Sequence, residues 1–515
     1  MGFGTIDYIV LATYLIGVAI FGLKISGKQN STKDYFLGGD GIPWWAVLFS
    51  VVATETSTLT FISIPAVAYG GNLTFLQITV GYFIGRVFVA KYFLPKYYDG
   101  EMFTAYQFLE KRFGASMRNA TSTTFMITRL LADGVRLFAT AIPLAIILRI
   151  GGAFTEWGDL ELYLLSISVI SVITLMYTFF GGIKAVVWMD VVQLGVYIGG
   201  ALLAMFILIH KIPDGWNGVA AFAESDNKFQ IFNSGFDLPF KEFIAQPYTF
   251  ITALIGGAVF SLASHGTDQL LVQRLLATGN LKSGQKALVW SGIVVALQFA
   301  LFLLVGLMLF AFYKGVNPEG LGLSTTDEIF AKFIVEQLPA GLSGLIVASL
   351  FAAAMSSLSS SLNSLASATT FDLYKPYFSK NDSESDVLRI SKFITLIWGV
   401  ILTGSAFLFA FLQLQDGERP MVVELGLGIA SYTYGGLLGA FLLGIFFKKT
   451  QKKDALVGFF SGLLFLLFLV DGPIQNILPG EGLVIAWPLY TLVGSSIVIL
   501  VGVGSNKVRS EINQI

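Results

Sequence analysis

Residues 352–364 read Ala-Ala-Ala-Met-Ser-Ser-Leu-Ser-Ser-Ser-Leu-Asn-Ser and lie inside an apolar segment that runs from about 338 to 374. Small side chains of this stretch recur at helical spacing and predict one stripe on a helix. The stripe consists of Ala353, Ser356, Ser357, Ser360 and Ser364, with Ser359 at its edge. Hydroxyl groups at membrane depth suit either close packing of helices or the binding of a desolvated cation. The choice between these two interpretations depends on the residues found elsewhere in the chain.

The composition indicates a membrane protein. Of the 515 residues, 55% are hydrophobic and 13% are charged, and the mean hydropathy is +0.74. The chain has no Cys, and its two His, His210 and His265, lie far apart, so disulfides and thiolate metal sites are excluded. The net charge of −1 gives no support for a nucleic-acid partner. We also find no nucleophile or cofactor constellation in the sequence, and we therefore do not expect an enzyme.

Apolar stretches of about 20 residues predict thirteen membrane-spanning helices. They lie near 6–26, 44–69, 75–98, 119–148, 160–180, 185–210, 246–265, 286–313, 338–373, 388–412, 420–447, 454–471 and 482–504. Lys and Arg alternate between the connections, with 22 on one side and seven on the other, and the richer side should face the cytoplasm. We therefore expect a multi-pass protein of the plasma (inner) membrane, with its N-terminus outside and its C-terminus in the cytoplasm. The lipid bilayer is an expected partner, and no obligatory protein partner is evident.

Two of the predicted spans are interrupted by polar residues. The second contains Ala-Thr-Glu-Thr-Ser-Thr at 53–58, followed by Pro65, and the seventh contains glycines and serines over 256–264. Because Pro removes a backbone hydrogen bond and hydroxyls compete for others, we expect the second span to unwind locally and to free carbonyl groups. Interrupted helices five spans apart are typical of an inverted-repeat transporter with a binding site near the midplane. Hydroxyls that satisfy a Pro kink and pack helices are the alternative.

Charged residues inside the predicted spans need partners, because an unpaired charge in the membrane is costly. Asp190 lies near the start of the sixth span, where it either binds a cation or pairs with Lys184. Asp133 stands between Arg129 and Arg136 in the fourth span and cannot neutralise both. One Arg therefore either faces a polar cavity and binds an anion or belongs to a structural network.

Three further polar residues of the spans receive only local interpretations. Asp268 is close in sequence to Arg274, and we expect the two to form a structural clamp near the cytoplasmic end of the seventh span. His265 either touches a substrate or is simply hydrogen-bonded at a helix end. Glu55 receives no role from the sequence.

Four motifs together resemble the sodium/solute symporter family, which includes sodium/glucose, sodium/proline and sodium/sialic acid cotransporters. They are Tyr35-Phe36-Leu37-Gly38-Gly39, Gly181-Gly182-Ile183-Lys184-Ala185 with Asp190, Gly266-Thr267-Asp268-Gln269 with Gln273-Arg274, and Ser356-Ser357-Leu358 with Leu362-Asn363-Ser364. The resemblance implies an all-α polytopic membrane protein with a leucine-transporter-type 5+5 inverted repeat, one helix before the core and two after it. The expected parts are an N-terminal helix and inner loop (1–43), a first repeat (44–210), an external connection (211–245), a second repeat (246–447) and two C-terminal helices with a short cytoplasmic tail (448–515).

The resemblance also implies a coupling ion, Na⁺, and its ligands. One sodium site would use the backbone carbonyls of Ala53, Thr56 and Ala353 with the hydroxyls of Ser356 and Ser357. A second site, present in some members, would use the carboxylate of Asp190 with the hydroxyls of Ser356, Ser359 and Ser360. Two sodium ions per cycle are therefore expected.

Substrate residues are implied by similarity to the carboxylate-binding set of bacterial sialic acid transporters. The matching residues are Ser57, Thr60, Gln77 and Arg136, and the seventh span adds Ser261, Ser264 and His265. Arg129 competes with Arg136 for the carboxylate. The expected function is sodium-coupled symport of a small polar organic solute, leaning to a sialic-acid-like or monocarboxylate substrate. A neutral-sugar or proline-like amino acid symporter is the alternative within this class, and a sodium-independent uniporter or channel and a transporter-like sensor are alternatives outside it.

Overall fold

The computed structural model describes residues 3–25, 27–39, 41–100, 102–150, 152, 154, 156–379, 382–416, 422–470 and 482–512. The helices are α1 Thr5–Ile25, α2 Thr32–Leu37, α3 Trp44–Glu55, α4 Thr58–Gly70, α5 Leu76–Tyr92, α6 Leu94–Tyr98, α7 Tyr106–Phe113, α8 Ala115–Ile150, α9 Asp159–Lys211, α10 Trp216–Ser225, α11 Phe240–Ala245, α12 Gly257–Gly266, α13 Gln269–Leu276, α14 Leu281–Phe312, α15 Glu328–Gln337, α16 Leu342–Ala368, α17 Lys375–Phe378, α18 Glu384–Asp416, α19 Val422–Phe446, α20 Lys452–Leu469 and α21 Trp487–Ile512. Within these ranges, β structure is limited to an isolated bridge between Val470 and Leu483.

The predicted apolar segments coincide with helices of the structure. Among the described residues, eight helical segments are long and apolar enough to span a membrane, and the bent pair α3–α4 adds a ninth. One of the eight, α9, contains both the fifth and the sixth predicted spans. The predicted ends at 420 and 471 lie outside the described residues. The total of thirteen spans therefore stays a prediction.

Helix α9 bends at a single residue, Gly182. Its φ of 55° and ψ of −156° are accessible to glycine and strained for other residues. A Cβ atom at this position would lie 2.3 Å from the backbone oxygen of Tyr35, which is too close for any side chain. The four-residue connection expected between the fifth and sixth spans is therefore reduced to one turn residue.

Helix α16, which carries the serine stripe, lies at the centre of the bundle and packs against α9, α1, α8, α18 and α3. Small residues permit the close approach of these helices. A Cβ atom at Gly200 of α9 would lie 2.4 Å from the hydroxyl of Ser349, and one at Gly344 would lie 2.6 Å from the backbone of Asp7. Small residues thus pack closely at two faces of α16, and the stripe serines are buried there except for Ser357, which is partly exposed.

Two helices of the bundle are broken. Helices α3 and α4 meet at Thr56 and Ser57 with a bend of 59°, and α12 and α13 meet at Thr267 and Asp268. The second break lies just beyond residue 265, where the seventh span was predicted to end. Asp268 caps α13 with its side chain and so marks the start of that helix. Two broken helices, one in each half of the chain, are the arrangement that the polar interruptions predicted.

The sequence offered Pro65 and the hydroxyl residues together as reasons for the second span to unwind, and only the hydroxyl residues lie at the first break. Pro65 lies inside the continuous helix α4, whereas the break falls at Thr56. The hydroxyl of Thr56 donates to the carbonyl oxygen of Val52 at 2.7 Å, and that of Thr54 donates to Ser50 at 2.7 Å. Hydroxyls that bond to the preceding turn disturb helices in this way, and the run of hydroxyl residues therefore accounts for the break.

Candidate functional site

A cavity lies beside both helix breaks. Water centres can occupy about 110 Å³ of it, which is room for several waters or part of a small ligand. Its polar lining residues are Thr54, Glu55, Ser57, Thr60, Arg129, Arg136, Ser264, His265, Asp268 and Tyr434. Aromatic rings complete the wall, namely those of Phe75, Tyr82, Phe260 and Phe299. Apolar faces with a few convergent polar groups are typical of a small-molecule site.

The two halves of the first predicted sodium site adjoin each other. The hydroxyl of Thr58 donates to the carbonyl oxygen of Leu350 at 3.1 Å and so ties the start of α4 to α16. Ser57 and Ser357 line one small hollow together with Asp133 and Arg136 of α8, and water centres can occupy about 10 Å³ of it. That volume matches one water-sized species.

Two of the three carbonyl groups predicted to bind sodium already accept hydrogen bonds in this structure. Ala353 accepts a hydrogen bond from the hydroxyl of Ser357 at 3.2 Å, and the carbonyl oxygen of Ala53 accepts from the N–H of Thr56 at 3.2 Å. Gln298, on α14, donates to the hydroxyl of Thr56 at 2.5 Å. These contacts hold the break in a defined conformation beside the serine stripe.

The second predicted sodium set forms one buried network. The hydroxyl of Ser356 donates to Asp190 Oδ1 at 2.6 Å, and that of Ser50 donates to Oδ2 at 2.5 Å. Ser359 and Ser360 both donate to the carbonyl oxygen of Ser356, at 3.0 and 2.6 Å. The hydrogen bond from Ser356 therefore joins the predicted carboxylate to α16, and Ser359 and Ser360 follow one turn along the same helix.

Arg274 completes this network and was assigned elsewhere from the sequence. Its guanidinium lies 3.4 Å from Asp190 Oδ2 and also donates to the hydroxyls of Ser360 and Ser50. Both charged side chains are fully buried. The expected clamp between Arg274 and Asp268 is wrong, because Asp268 pairs instead with Arg129 at 3.3 Å. The partner of Asp190 is likewise not Lys184, which is exposed.

The two arginines of α8 differ in how firmly they are held. Arg129 is 2% exposed and its guanidinium lies between Asp268, at 3.3 Å, and Asp133, at 3.5 Å. It also donates to the hydroxyl of Tyr434 at 2.9 Å. The side chain of Arg136 is 20% exposed, and the carboxylate oxygen of Asp133 lies 3.6 Å away.

Five of the seven predicted substrate residues line the cavity: Ser57, Thr60, Arg136, Ser264 and His265. Gln77 and Ser261 are not among its described lining residues. The amide of Gln77 donates to the carbonyl oxygen of Tyr248 at 2.7 Å and accepts from the N–H of Asn233. Ser261 donates to the carbonyl oxygen of Tyr82 at 2.9 Å. Both side chains are thus used to hold neighbouring segments together.

Sequence reasoning missed the partners of Glu55. Its carboxylate accepts from the guanidinium of Arg86 through one oxygen and from His265 Nε2, at 3.0 Å, through the other. Arg86 is fully buried and also donates to the hydroxyl of Ser291. Arg86 lies in the third predicted span without a carboxylate in its own helix, which is the signal that could have pointed to an acidic partner on another helix.

Comparison with known proteins identifies the family. Residues 35–462 match the model of the sodium:solute symporter family. The chain is 32% identical to the sodium/sialic acid symporter NanT of Aliivibrio fischeri, across 97% of this chain and 92% of that protein. It is 28% identical to the sodium/sialic acid symporter SiaT of Proteus mirabilis, across 97% and 94%.

A solved structure supports the same assignment. The substrate-bound, outward-open structure of a Na⁺-coupled sialic acid symporter superimposes with a TM-score of 0.82 and 27% identity, across 98% of each chain. The predicted all-helical fold of the leucine-transporter type is thereby confirmed, as is the dependence on sodium. The chain belongs to the sodium:solute symporter family, whose members are sodium-coupled membrane transporters and not enzymes.

Proposed function

We propose that this chain imports a small carboxylated and hydroxylated solute, such as a sialic acid, together with sodium ions. The observation that carries the proposal is the loosely held guanidinium of Arg136 in the wall of the cavity. The similarity to two sodium/sialic acid symporters supports the class of substrate.

Arg136 suits the carboxylate better than Arg129 does. At 3.6 Å from Asp133, Arg136 is beyond hydrogen-bonding distance of its nearest counter-charge. Arg129 already donates to Tyr434 and lies between two carboxylates. A guanidinium with free N–H groups can bind a carboxylate through two parallel hydrogen bonds, and Arg136 has that capacity.

The first sodium ion binds between the α3–α4 break and the serine stripe. Its ligands are the predicted set of Ala53, Thr56, Ala353, Ser356 and Ser357. The hydrogen bond from Thr58 to the carbonyl oxygen of Leu350 supports this location, since it holds the start of α4 against α16. Hard oxygen donors from hydroxyls and carbonyls are suited to an alkali cation, and a helix break supplies such carbonyls at membrane depth.

The second sodium ion binds in the network of Asp190, Ser356, Ser359 and Ser360. Arg274 occupies the cation position of that network, so sodium enters only when the guanidinium moves away from Asp190. Two ions per cycle provide sufficient driving force. At about 100 mV each charge gains about 2.3 kcal/mol, and a tenfold gradient adds about 1.4. Together two ions supply about 7 kcal/mol, less the electrical work of carrying an anion.

Sodium joins the α3–α4 break and α9 to α16 and orders the cavity for the substrate. Binding of substrate to Arg136 then permits closure and opening to the other side. Because the ligands of each ion come from different helices, relative movement of these helices breaks the ion sites and releases the ions. Substrate and ions leave chemically unchanged.

Uptake into proteoliposomes with an imposed sodium gradient tests the proposed function. The panel consists of sialic acids, monocarboxylates, neutral sugars and amino acids. We expect sodium-driven accumulation of a carboxylate, and Arg136→Gln should weaken its apparent affinity about 10- to 150-fold, because a hydrogen bond to a charged group contributes about 1.5–3 kcal/mol. Lys332→Gln, on α15 and outside the described lining of the cavity, is the matched control and should behave like the wild type. Accumulation of neutral sugars or amino acids alone would contradict the substrate class, and sodium-independent flux would contradict symport.

The proposed orientation places the N-terminus outside and the C-terminus in the cytoplasm of the plasma (inner) membrane. The excess of Lys and Arg on alternate connections supports it. Because the chain has no Cys, single Cys residues introduced at Ser225 and Ser505 can be labelled without background. An impermeant reagent applied to cells should label the first and spare the second, and the reverse pattern would overturn the orientation.

A further inference from the structure

Glu55 occupies a distinctive place in the cavity. It is the last residue of α3, directly before the helix break, and its side chain is 17% exposed. Its partners come from two other helices, Arg86 from α5 and His265 from α12. A carboxylate at the meeting point of three elements is fixed in position, and it lines the same cavity as Arg136.

The carboxylate of Glu55 has acceptor capacity that its protein partners do not fill. An ionised carboxylate accepts about four hydrogen bonds, whereas Arg86 and His265 supply one to each oxygen. Arg86 is fully buried and provides the counter-charge for this carboxylate. The remaining lone pairs face the cavity, so any ligand there meets an acceptor that carries a negative charge.

His265 is oriented by contacts on both ring nitrogens. Nε2 lies 3.0 Å from Glu55 Oε1, while Nδ1 lies 2.9 Å from the hydroxyl of Ser264 and 3.1 Å from the carbonyl oxygen of Ser261. The donation from Nε2 holds the Glu55 carboxylate at a fixed angle. The hydroxyl of Ser264 also lines the cavity, and it adds a second polar contact beside the carboxylate.

The cavity wall therefore carries donors and acceptors on different elements. Arg136 on α8 offers donors, and Glu55 at the end of α3 offers acceptors. The wall also contains the rings of Phe75, Tyr82 and Phe299. A plain aliphatic carboxylate would satisfy Arg136 but bring no donor to the open acceptor positions of Glu55, whereas a ligand with hydroxyl or N–H groups satisfies both.

We propose that Glu55, positioned by Arg86 and His265, is the specificity-determining acceptor that selects carboxylates bearing hydroxyl or N–H groups over unsubstituted monocarboxylates. This inference rests on the proposed function, since it assumes that Arg136 binds the carboxylate. A site that hydrogen-bonds a substrate hydroxyl disfavours the analogue that lacks it, because the acceptor positions of Glu55 that Arg86 and His265 leave open would then lose water and gain no donor in return.

Competition against sodium-driven uptake of N-acetylneuraminate tests the inference. The competitors are gluconate and hexanoate, which are both six-carbon monocarboxylates and differ in their hydroxyl groups. The measured quantity is the ratio of their inhibition constants. We expect the wild type to prefer gluconate and Glu55→Gln to reduce that preference about 10- to 150-fold, the equivalent of one or two charge-assisted hydrogen bonds.

Two further variants separate recognition from a structural role. Glu55→Asp keeps the charge opposite Arg86 but withdraws the carboxylate by one methylene, so it should fold and should also lower the preference for gluconate. Glu336→Gln removes a carboxylate that pairs with Lys332 away from the cavity, and it should leave the ratio unchanged. A merely structural ion pair would change expression or maximal rate but not the ratio.

The outcomes are distinguishable from failure of the proposed function. If neither N-acetylneuraminate nor any other carboxylate accumulates with sodium, the proposed function itself is overturned. If carboxylates accumulate but neither Glu55→Gln nor Glu55→Asp changes the ratio, the specificity role of Glu55 is overturned. Should Glu55→Gln fail to fold, an unchanged ratio in Glu55→Asp alone is sufficient to reject it.

Discussion

Replacement of Arg274 by Met should remove a buried ion pair and make the stability of the protein depend on sodium. In the wild type the guanidinium lies 3.4 Å from Asp190 and donates to Ser360, and both charges are fully buried. Met has a similar length without charge, so Asp190 retains only the hydroxyl donors of Ser356 and Ser50. Removal of one partner from a buried pair costs about 3–5 kcal/mol, because the other charge is left uncompensated.

Sodium should recover much of this loss in the variant. The carboxylate and the stripe hydroxyls then offer an oxygen-lined site that no guanidinium occupies. A cation that binds only the folded state stabilises it by RT ln(1 + [L]/Kd), which is about 2.7 kcal/mol at a concentration a hundred times Kd. The wild type should gain less at the same site, since sodium must first displace Arg274.

The assay is the apparent Tm of the purified protein, followed by the fluorescence of its eight Trp residues, in sodium and in potassium chloride of equal strength. We expect Arg274→Met to have a lower Tm than the wild type in potassium and a larger upward shift in sodium. The double variant Arg274→Met with Asp190→Asn is the control, because it removes both charges and should lose the additional sodium effect. Equal sodium shifts in the wild type and Arg274→Met would refute the reasoning that Arg274 competes with the ion.

Three further predictions concern separate parts of the molecule. Ser356→Ala should abolish sodium coupling, since both ion sites share this residue, whereas Ser360→Ala should mainly lower the Hill slope for sodium; equal slopes in uptake assays would contradict the two sites. Gly182→Ala should destabilise the fold by about 2–6 kcal/mol through its φ of 55° and its contact with Tyr35, and unchanged thermal stability beside the silent control Gly195→Ala would contradict it. Burial holds the pKa of Lys228 below its ordinary value, so near that pH the unfolded chain binds more protons than the folded one. The stability of the wild type should therefore rise relative to that of Lys228→Met as the pH approaches 10.5.

Periodicity and hydropathy were sufficient to predict the helices and the stripe on α16. Membrane spans must be long and apolar, and small residues that recur at helical spacing form one face in any packing. The sequence also placed Asp190 with the stripe serines, through the resemblance to the family. These features depend on local pattern or on motif, which a single sequence contains.

Contacts between distant helices could not be predicted in the same way. The partner of Arg274 was expected to be Asp268, six residues away, but the fold provides Asp190 instead. Pro65 and the hydroxyl residues were both expected to unwind the second span, and the break lies at Thr56, within the hydroxyl run and away from Pro65. In each case the nearest chemical explanation in the sequence was plausible on its own. Only the three-dimensional arrangement shows which of several carboxylates or hydroxyls lies within reach.

The turn at Gly182 has a mechanical consequence. Connections between packed helices commonly have two to eight residues, and such loops absorb displacement as slack. Here one residue joins two long helical arms, so a tilt of residues 159–181 is transmitted to residues 183–211 as rotation about a single pivot. Asp190 lies eight residues, or about 12 Å, beyond that pivot. The carboxylate that we propose as an ion ligand therefore lies on a short helical arm, and its position depends on the tilt of the helix on the other side of the turn.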